Sequence, residues 1–495
     1  FISLLIEQDV DDSKENRDIR ALPNLETKFV AANTLIGLGD SQVLKSQEII
    51  NLEEELFKVR EKIFYTNSRK DKHDLQSKLN AIRLQLKTEL VKVGFPNDKA
   101  EKITQWDPFD QNTHADWFDP EWMFGVKNGF DIVIGNPPYI QLQKAVDNKH
   151  KYADLYKNQN FKTFERTGDI YCLFYEKGIN LLCDGGHLAF ITSNKWMRAG
   201  YGEKLRQFFN SYYPKILIDL GPGVFENATV DTNILIIQKA KNAHKLHAVT
   251  INEKKKDNID FSILLEQNGV LLQNLTGNAW FIGSDAEQRL KEKIERIGKP
   301  LKEWDVNIYY GIKTGLNEAF IIDDARRKEI LNNCKDEAER QRTEAIIKPI
   351  LRGRDIKRYY YEWAGLWVIG TFPALHLDIE DFPALKKYFL DHFDIRQLEQ
   401  SGKKYPELGF DARKKTGNKW FETQDQIAYY PEFEKEKIIY PNMTKYLPFV
   451  LDNNKMYVNQ KCFILTSDIV SLKYLVSCFN SSVLSMWIRN NCPEL

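Results

Sequence analysis

Short apolar runs punctuate the first half of the chain at intervals typical of an α/β sheet. They are "KFVAAN" (28–33), "FDIVIGN" (130–136), "HLAFIT" (187–192) and "KILIDL" (215–220). A fifth, "TNILIIQK" (232–239), follows the fourth after a single loop. Runs of this kind fit strands covered on both faces. The close spacing of the last two predicts a hairpin-like finish on an otherwise parallel, mixed sheet with helices on its faces. Between strands, 169–183 carries Ile170, Leu173, Phe174, Gly178 and Leu181 near helical spacing.

An insertion of different character lies between the first two runs. Leu52, Leu56, Val59 and Ile63 recur within 41–65, and Leu75, Leu79, Ile82 and Leu86 within 74–90. Polar "TNSRKDKHD" separates them, so 41–100 is expected to contain an antiparallel helical hairpin with a heptad-like seam, acting as a structural arm. Near 240–280 the chain turns polar, which reads as the end of one domain and a connection. From about 281 it is rich in Trp, Tyr and Lys/Arg with short, irregular strands, and a second domain is expected there. The division is thus 1–280 and 281–495.

Composition changes this picture little. The 495 residues suffice for two or three domains, and 42% apolar with 28% charged residues is ordinary for a globular protein. Seventy basic side chains balance seventy acidic ones, so any nucleic-acid face must be local. The six scattered cysteines form no CxxC pair, which points to reduced thiols, a cytoplasmic setting and no metal site. No membrane span or signal segment is evident. The opening "FISLLIEQ" resembles the middle of a helix in a longer protein.

The stretch "FDIVIGNPPYIQLQ" (130–143) runs a buried strand into Asn136, Pro137, Pro138 and Tyr139. The two prolines fix φ and remove donors, making a rigid turn beyond a strand's carboxyl end, where open α/β sheets bind ligands. The chemical logic suits methylation of an amine whose lone pair is delocalised into a ring. The Asn136 side-chain oxygen and the Pro137 carbonyl can each accept one amine hydrogen, while the Tyr139 ring stacks on the base. A base inside a duplex must be flipped out to reach them. An ordinary Asn-Pro turn with a packing tyrosine is the plainer reading.

"FDIVIGNPPY" resembles the catalytic motif of the amino-methyltransferases. "GDIYCLFYEKGINLLCDGGHLAFITSNKW" (168–196) and "IDLGPGVFENATVDTNILIIQK" (218–239) resemble later segments of the adenine-N6 DNA methyltransferases of restriction–modification systems. The resemblance implies that Phe225 stacks on the flipped adenine with Tyr139. It also implies that Asn33 of "FVAANTL" contacts the adenine of S-adenosylmethionine, whose methyl end lies near Asn136. "YYGIKTGLNEAFIID", "IKPILRGRDIKRYYYEW" and "YYPEFEKEKIIYPNMTKYLPFVLD" resemble a TaqI-like specificity domain of type IIG enzymes. The family's glycine-rich cofactor motif is not found. Gly37-Leu38-Gly39 and Gly221-Pro222-Gly223 fit loops better. The expected fold is therefore α/β: a partial Rossmann-like methyltransferase sheet lacking its first two strands, with strand 28–33 beside strand 130–136, plus an α+β target-recognition domain. The cofactor site is expected to be incomplete and this chain alone inactive. The cofactor-motif segment, and any nuclease segment, would belong to the rest of the full-length protein.

In the second domain, Gly311-Ile312-Lys313-Thr314-Gly315 reads as a turn between two apolar strands, placing Lys313 and Thr314 on a loop suited to phosphate contacts. Arg352, Arg354, Lys357 and Arg358 cluster beside Tyr359 and Tyr360, as in nucleic-acid-binding surfaces. The expected partner is double-stranded DNA, with no membrane. Two alternatives remain at this point. One is a non-catalytic, sequence-specific DNA-binding unit of a restriction or phage-defence assembly. The other is a protein-glutamine methyltransferase, against which the basic, aromatic second domain argues.

Overall fold

The computed structural model describes residues 10–18, 24–38, 46–110, 114–147, 150–225, 230–251, 260–273, 275–442 and 447–491. Residues 1–8, Gly39 and 41–45, which figure in the expectations above, lie outside the described residues. The chain divides into two compact units, Phe1–Ile282 and Gly283–Leu495.

In the first unit the apolar runs build one six-stranded sheet. Its strands are β1 (Phe130–Gly135), β2 (Leu182–Ser193), β3 (Tyr213–Gly221), β4 (Thr232–Gln238), β5 (Leu246–Thr250) and β6 (Val270–Leu272). Their spatial order is β1-β2-β4-β3-β5-β6. β1 runs parallel to β2, with Ile134 opposite Ala189. β4 inserts antiparallel between β2 and β3 as the hairpin partner of β3. β5 returns parallel to β3. This is a mixed, open, partly Rossmann-like sheet. One face packs through Leu188, Leu217 and Leu235 against helices Tyr171–Asn180 and Glu203–Asn210, which supply Tyr171, Tyr175 and Phe209. β1 is an outer strand, and Ile132 and Ile134 are 67% and 78% exposed.

Three expectations are corrected. The run 28–33 is not a strand of this sheet. It follows a 3-10 turn, Leu25–Lys28, and makes one parallel bridge, Ala32 to Ala115. Val30 and Ala32 pack into the helical arm, whose core includes Trp117 and Trp122, and small apolar residues satisfy that environment as well as a sheet. The stretch 240–280 is not a plain connection, because β5 and β6 extend the sheet there, burying Leu246, Ala248 and Leu272. The helix expected over 169–183 spans only Tyr171–Asn180, and β2 already begins at Leu182.

The arm itself follows the heptad-like spacing. Helices α1 (Gln47–Tyr65) and α2 (Arg69–Lys92) bury Leu52, Leu56, Val59 and Ile63 against Leu79, Ile82 and Leu86. Each begins on a serine whose side chain accepts a backbone N–H, Ser46 from Ile49 and Ser68 from Asp71, satisfying donors that the first turn leaves free.

The second unit holds two four-stranded sheets. One joins Ile321–Asp323, Leu366–Ile369, Ile347–Leu351 and Tyr457–Val458 in that order. The other joins Val450–Asp452, Lys437–Pro441, Cys462–Thr466 and Asn307–Tyr310, all antiparallel. A fully buried ion pair, Lys437 Nζ to Asp452 Oδ2 at 2.6 Å, ties two of these strands.

Candidate active site

The turn after β1 is fixed from below. A β-carbon on Gly135 would sit 3.3 Å from the Phe190 ring of β2, so glycine lets the strand end lie flat on that ring. Asn136 is then exposed, Pro137 buried and Pro138 exposed. Among the described residues the Asn136 side chain has no hydrogen-bond partner, so both ends of its amide remain available. Tyr139 turns back to the sheet and its hydroxyl donates to the Ile191 carbonyl at 3.3 Å. Its ring meets Tyr171 edge-on, with centroids 6.1 Å apart and planes at 88°. Burial raises the Tyr139 pKa, keeping the phenol neutral.

Phe225 reaches the same place from the loop after β3. Its ring centroid lies 6.5 Å from that of Tyr139, with planes at 59°. Gly221 and Gly223, at φ 60° and 80°, bend that loop through left-handed backbone, so Gly221-Pro222-Gly223 serves a turn. Asp219, almost buried, anchors its base. The carboxylate accepts from Asn194 Nδ2 at 2.9 Å and from Gly221 N–H at 3.2 Å, joining the loops after β2 and β3.

A second polar chain runs beneath Tyr139. The Tyr171 and Tyr201 hydroxyls are 2.7 Å apart, and Tyr201 donates to Asp169 Oδ2 at 3.1 Å. The segment after the motif is strapped to Asp169 by an antiparallel bridge from Gln141, and Ile170 N–H donates to the Ile140 carbonyl at 2.9 Å. Burial raises the Asp169 pKa, and the Tyr201 hydrogen bond and the charge of Lys195 oppose that rise. Deeper, Thr192, Trp196 and Asn233 are fully buried. The Thr192 hydroxyl and Trp196 Nε1 both donate to Asn233 Oδ1, at 3.1 and 3.2 Å. None of these groups figured among the residues predicted from sequence. The one signal available was the polar residue at one end of each apolar run: "ITSN" and "IDLG" at the close of theirs and "DTN" at the start of its own.

Asn33 is half-buried. Its Oδ1 accepts from Leu35 N–H at 3.2 Å and its Nδ2 donates to the Tyr156 hydroxyl at 3.3 Å. Leu35 packs with Leu142, Tyr156 and Ile170, so this segment shares a core cluster with the chain leaving Tyr139. The structure therefore brings Phe225 to Tyr139, three residues after the exposed Asn136, and brings Asn33 to the neighbouring cluster without a contact to the motif.

In the second unit the predicted cations separate into free and engaged groups. The loop 311–316 leads into a short helix, Asn317–Phe320, and not directly into a second strand. Thr314 is 1% exposed and its hydroxyl donates to Asn317 Oδ1 at 2.8 Å, which removes it from the surface. Lys313 stays half-exposed. Arg352 grips Asp355 through Nε at 3.0 Å and Nη2 at 2.8 Å. Arg358 donates to the Asn480 carbonyl. Lys357 Nζ donates to the Arg354 carbonyl at 2.9 Å, 3.8 Å from Glu362. Arg354 is exposed, without a side-chain acceptor among the described residues. An apolar hollow of about 860 Å³ in this unit, lined by Trp304, Phe449, Tyr474 and Phe479, contains none of the predicted residues. No helix among the described residues is long and apolar enough to cross a membrane.

Comparison with known proteins gives these sites a context. Residues 11–225 match the Eco57I restriction-modification methylase family, and 348–495 match the TaqI-like C-terminal specificity domain. The type II methyltransferase M.BstVI of Geobacillus stearothermophilus is 27% identical over 389 residues, 74% of this chain and 64% of that protein. The type II restriction enzyme and methyltransferase RM.Eco57I of Escherichia coli is 27% identical over 230 residues, 45% of this chain and 22% of that protein. Among solved structures, the type IIL restriction-modification enzyme MmeI in complex with DNA aligns with a TM-score of 0.44 at 12% identity, over 72% of this chain and 43% of that chain. The chain thus spans just under two thirds of M.BstVI and much less of RM.Eco57I. It joins an Eco57I restriction-modification methylase domain, over 11–225, to a TaqI-like C-terminal specificity domain, over 348–495.

Proposed function

We propose that this chain is the base-capturing and sequence-reading part of a site-specific DNA adenine-N6 methyltransferase of a type II restriction–modification system. The observation that carries this reading is the unpartnered Asn136 amide on a rigid Pro137-Pro138 turn, which leads into Tyr139, whose ring Phe225 meets at a tilt of 59°. A base stacked between two rings needs their faces about 7 Å apart, twice the usual carbon contact of about 3.5 Å. The ring centroids lie 6.5 Å apart with planes at 59°, so a base would enter by reorienting Phe225, which follows two left-handed glycines, Gly221 and Gly223. The Asn136 oxygen and the Pro137 carbonyl accept the two amine hydrogens, which localises the nitrogen lone pair and makes it nucleophilic. Tyr139 and Phe225 hold the extruded base by stacking, about 1–3 kcal/mol per base.

Such chemistry uses S-adenosylmethionine, which when bound supplies an electrophilic methyl group. The residues present fit a nucleoside cofactor in kind. Asn136 is free at the methyl end, while the half-buried Asn33 amide, bonded to Leu35 N–H and the Tyr156 hydroxyl, is the polar group left for the cofactor adenine. The second unit is the DNA reader in this proposal. Lys313 and Arg354 face phosphates, whereas Arg352, Lys357 and Arg358 hold the loop's shape.

Single-molecule sequencing of host DNA with and without the full-length gene tests this function. N6-methyladenine in one motif is the expected mark. N4-methylcytosine there would overturn the choice of base, and an unmodified genome would overturn the activity.

A further inference from the structure

The second unit exposes two adjacent aromatic rings at the tip of a tightly fastened loop. Tyr359 and Tyr360 are 54% and 56% exposed, although tyrosine rings usually bury most of their area. The loop between Lys357 and Tyr360 is closed by Lys357 N–H donating to the Tyr360 carbonyl at 2.9 Å. Tyr359 N–H donates to the Phe449 carbonyl at 3.1 Å, and an antiparallel bridge joins Ile356 to Tyr361. Arg358 reaches across to the Asn480 carbonyl, and the Asn480 side chain clamps Phe449 through both backbone groups, at 3.1 and 2.8 Å. The tip is therefore rigid as well as exposed.

Tyr359 also holds φ at 72°, left-handed backbone that a turn ordinarily assigns to glycine or asparagine. A strained conformation kept by surrounding bonds, at a residue whose side chain packs little, directs attention to what that side chain meets outside the chain. The charge around it is positive. From 352 to 362 there are four cations and two carboxylates, with Asp355 taken by Arg352 and Glu362 3.8 Å from Lys357, which leaves Arg354 and Arg358 in excess. Arg354 points free, and the Arg358 guanidinium lies 5.5 Å from the Tyr359 ring centre.

We propose that Tyr359 is a wedge that stacks on a nucleobase at a base step of bound duplex DNA, while Arg354 holds a flanking phosphate. This rests on the reading of the second unit as the DNA-binding part. Aromatic or apolar side chains presented rigidly beside cations suit a partial unstacking of one step, because every base offers a π face and the phosphates supply the attraction. An acidic peptide would satisfy the cations and leave the rings unused.

Tyr359→Gly separates this role from packing. The backbone strain disappears, so the thermal midpoint of the full chain should stay level or rise. Affinity for a labelled mixed-sequence duplex should fall about tenfold or more. The fluorescence gain of a duplex carrying 2-aminopurine, which reports unstacking, should be lost. Tyr359→Phe should retain affinity and fluorescence gain, since stacking needs the ring and not the hydroxyl. A lowered midpoint in the glycine variant would assign the ring to packing and overturn the wedge. Unchanged duplex affinity in that variant would overturn it alone, whereas no duplex binding by the unsubstituted chain would overturn the DNA-binding reading and the wedge with it. Equal competition by polyglutamate and unlabelled duplex would reduce the loop to a charge contact and also overturn the wedge.

Discussion

Asp169 shows how a single side chain beneath the site responds to its surroundings. Burial raises its folded pKa above the usual 3.8, so the folded chain holds the proton more tightly than the unfolded chain does. The favourable contribution of the protonated form is present below the unfolded value and is lost as pH rises through the folded one. At neutral pH the ionised carboxylate is a net cost, moderated by Tyr201. Asp169→Asn can still accept that hydrogen bond. Its thermal midpoint should therefore match or exceed wild type at neutral pH, with the gap closing on acidification. A midpoint lower at neutral pH than at acid pH, relative to wild type, would mean that the carboxylate is stabilised as an ion. Sequence alone singled out Asn136 to Tyr139 as candidates because their chemistry is contiguous. It concealed Asp169 because Tyr201, its partner, lies 32 residues away.

Among elements, the helical arm was the most legible. Its apolar positions recur over about three turns of α1, and Leu52, Leu56, Val59 and Ile63 are all buried as the spacing requires. Leu79 on α2 is fully buried in that seam, so Leu79→Ala should cost about 2–5 kcal/mol. Denaturant unfolding of the chain measures it, and a loss under about 0.5 kcal/mol would place Leu79 at the surface. Short strands were harder. "FVAA" at 29–32 carries the same apolar signature as a sheet strand, yet its partner, Ala115, comes from beyond the arm, 83 residues along the chain from Ala32. "LHAVT" at 246–250 was overlooked because lysines and polar residues surround a run of only five. In both cases tertiary pairing, absent from any local window, decided the outcome.

At the scale of the whole molecule the chain carries no net charge, so the proposed attraction to DNA must come from a few placed cations. Arg354→Glu should weaken duplex binding and lower the slope of log affinity against log salt by about one. Arg352→Glu should instead destabilise the fold, because it leaves the nearly buried Asp355 beside a like charge. Identical salt slopes for wild type and Arg354→Glu would place that arginine away from the phosphates. The division expected near 281 rested on a change in composition, and the two compact units are Phe1–Ile282 and Gly283–Leu495. Which basic residues of the second unit were free was not legible, since Arg352 and Arg358 look like Arg354 until their acceptors, Asp355 and the Asn480 carbonyl, come into contact.

The most direct test of the proposed chemistry is Asn136→Ala in the full-length protein, with methylation of host DNA and duplex affinity measured side by side. The side chain acts on the amine chiefly in the transition state, so the substitution should remove N6-methyladenine while leaving duplex affinity within a few fold of wild type. Methylation at the wild-type level in that variant would contradict the assignment of Asn136 and of the turn that presents it.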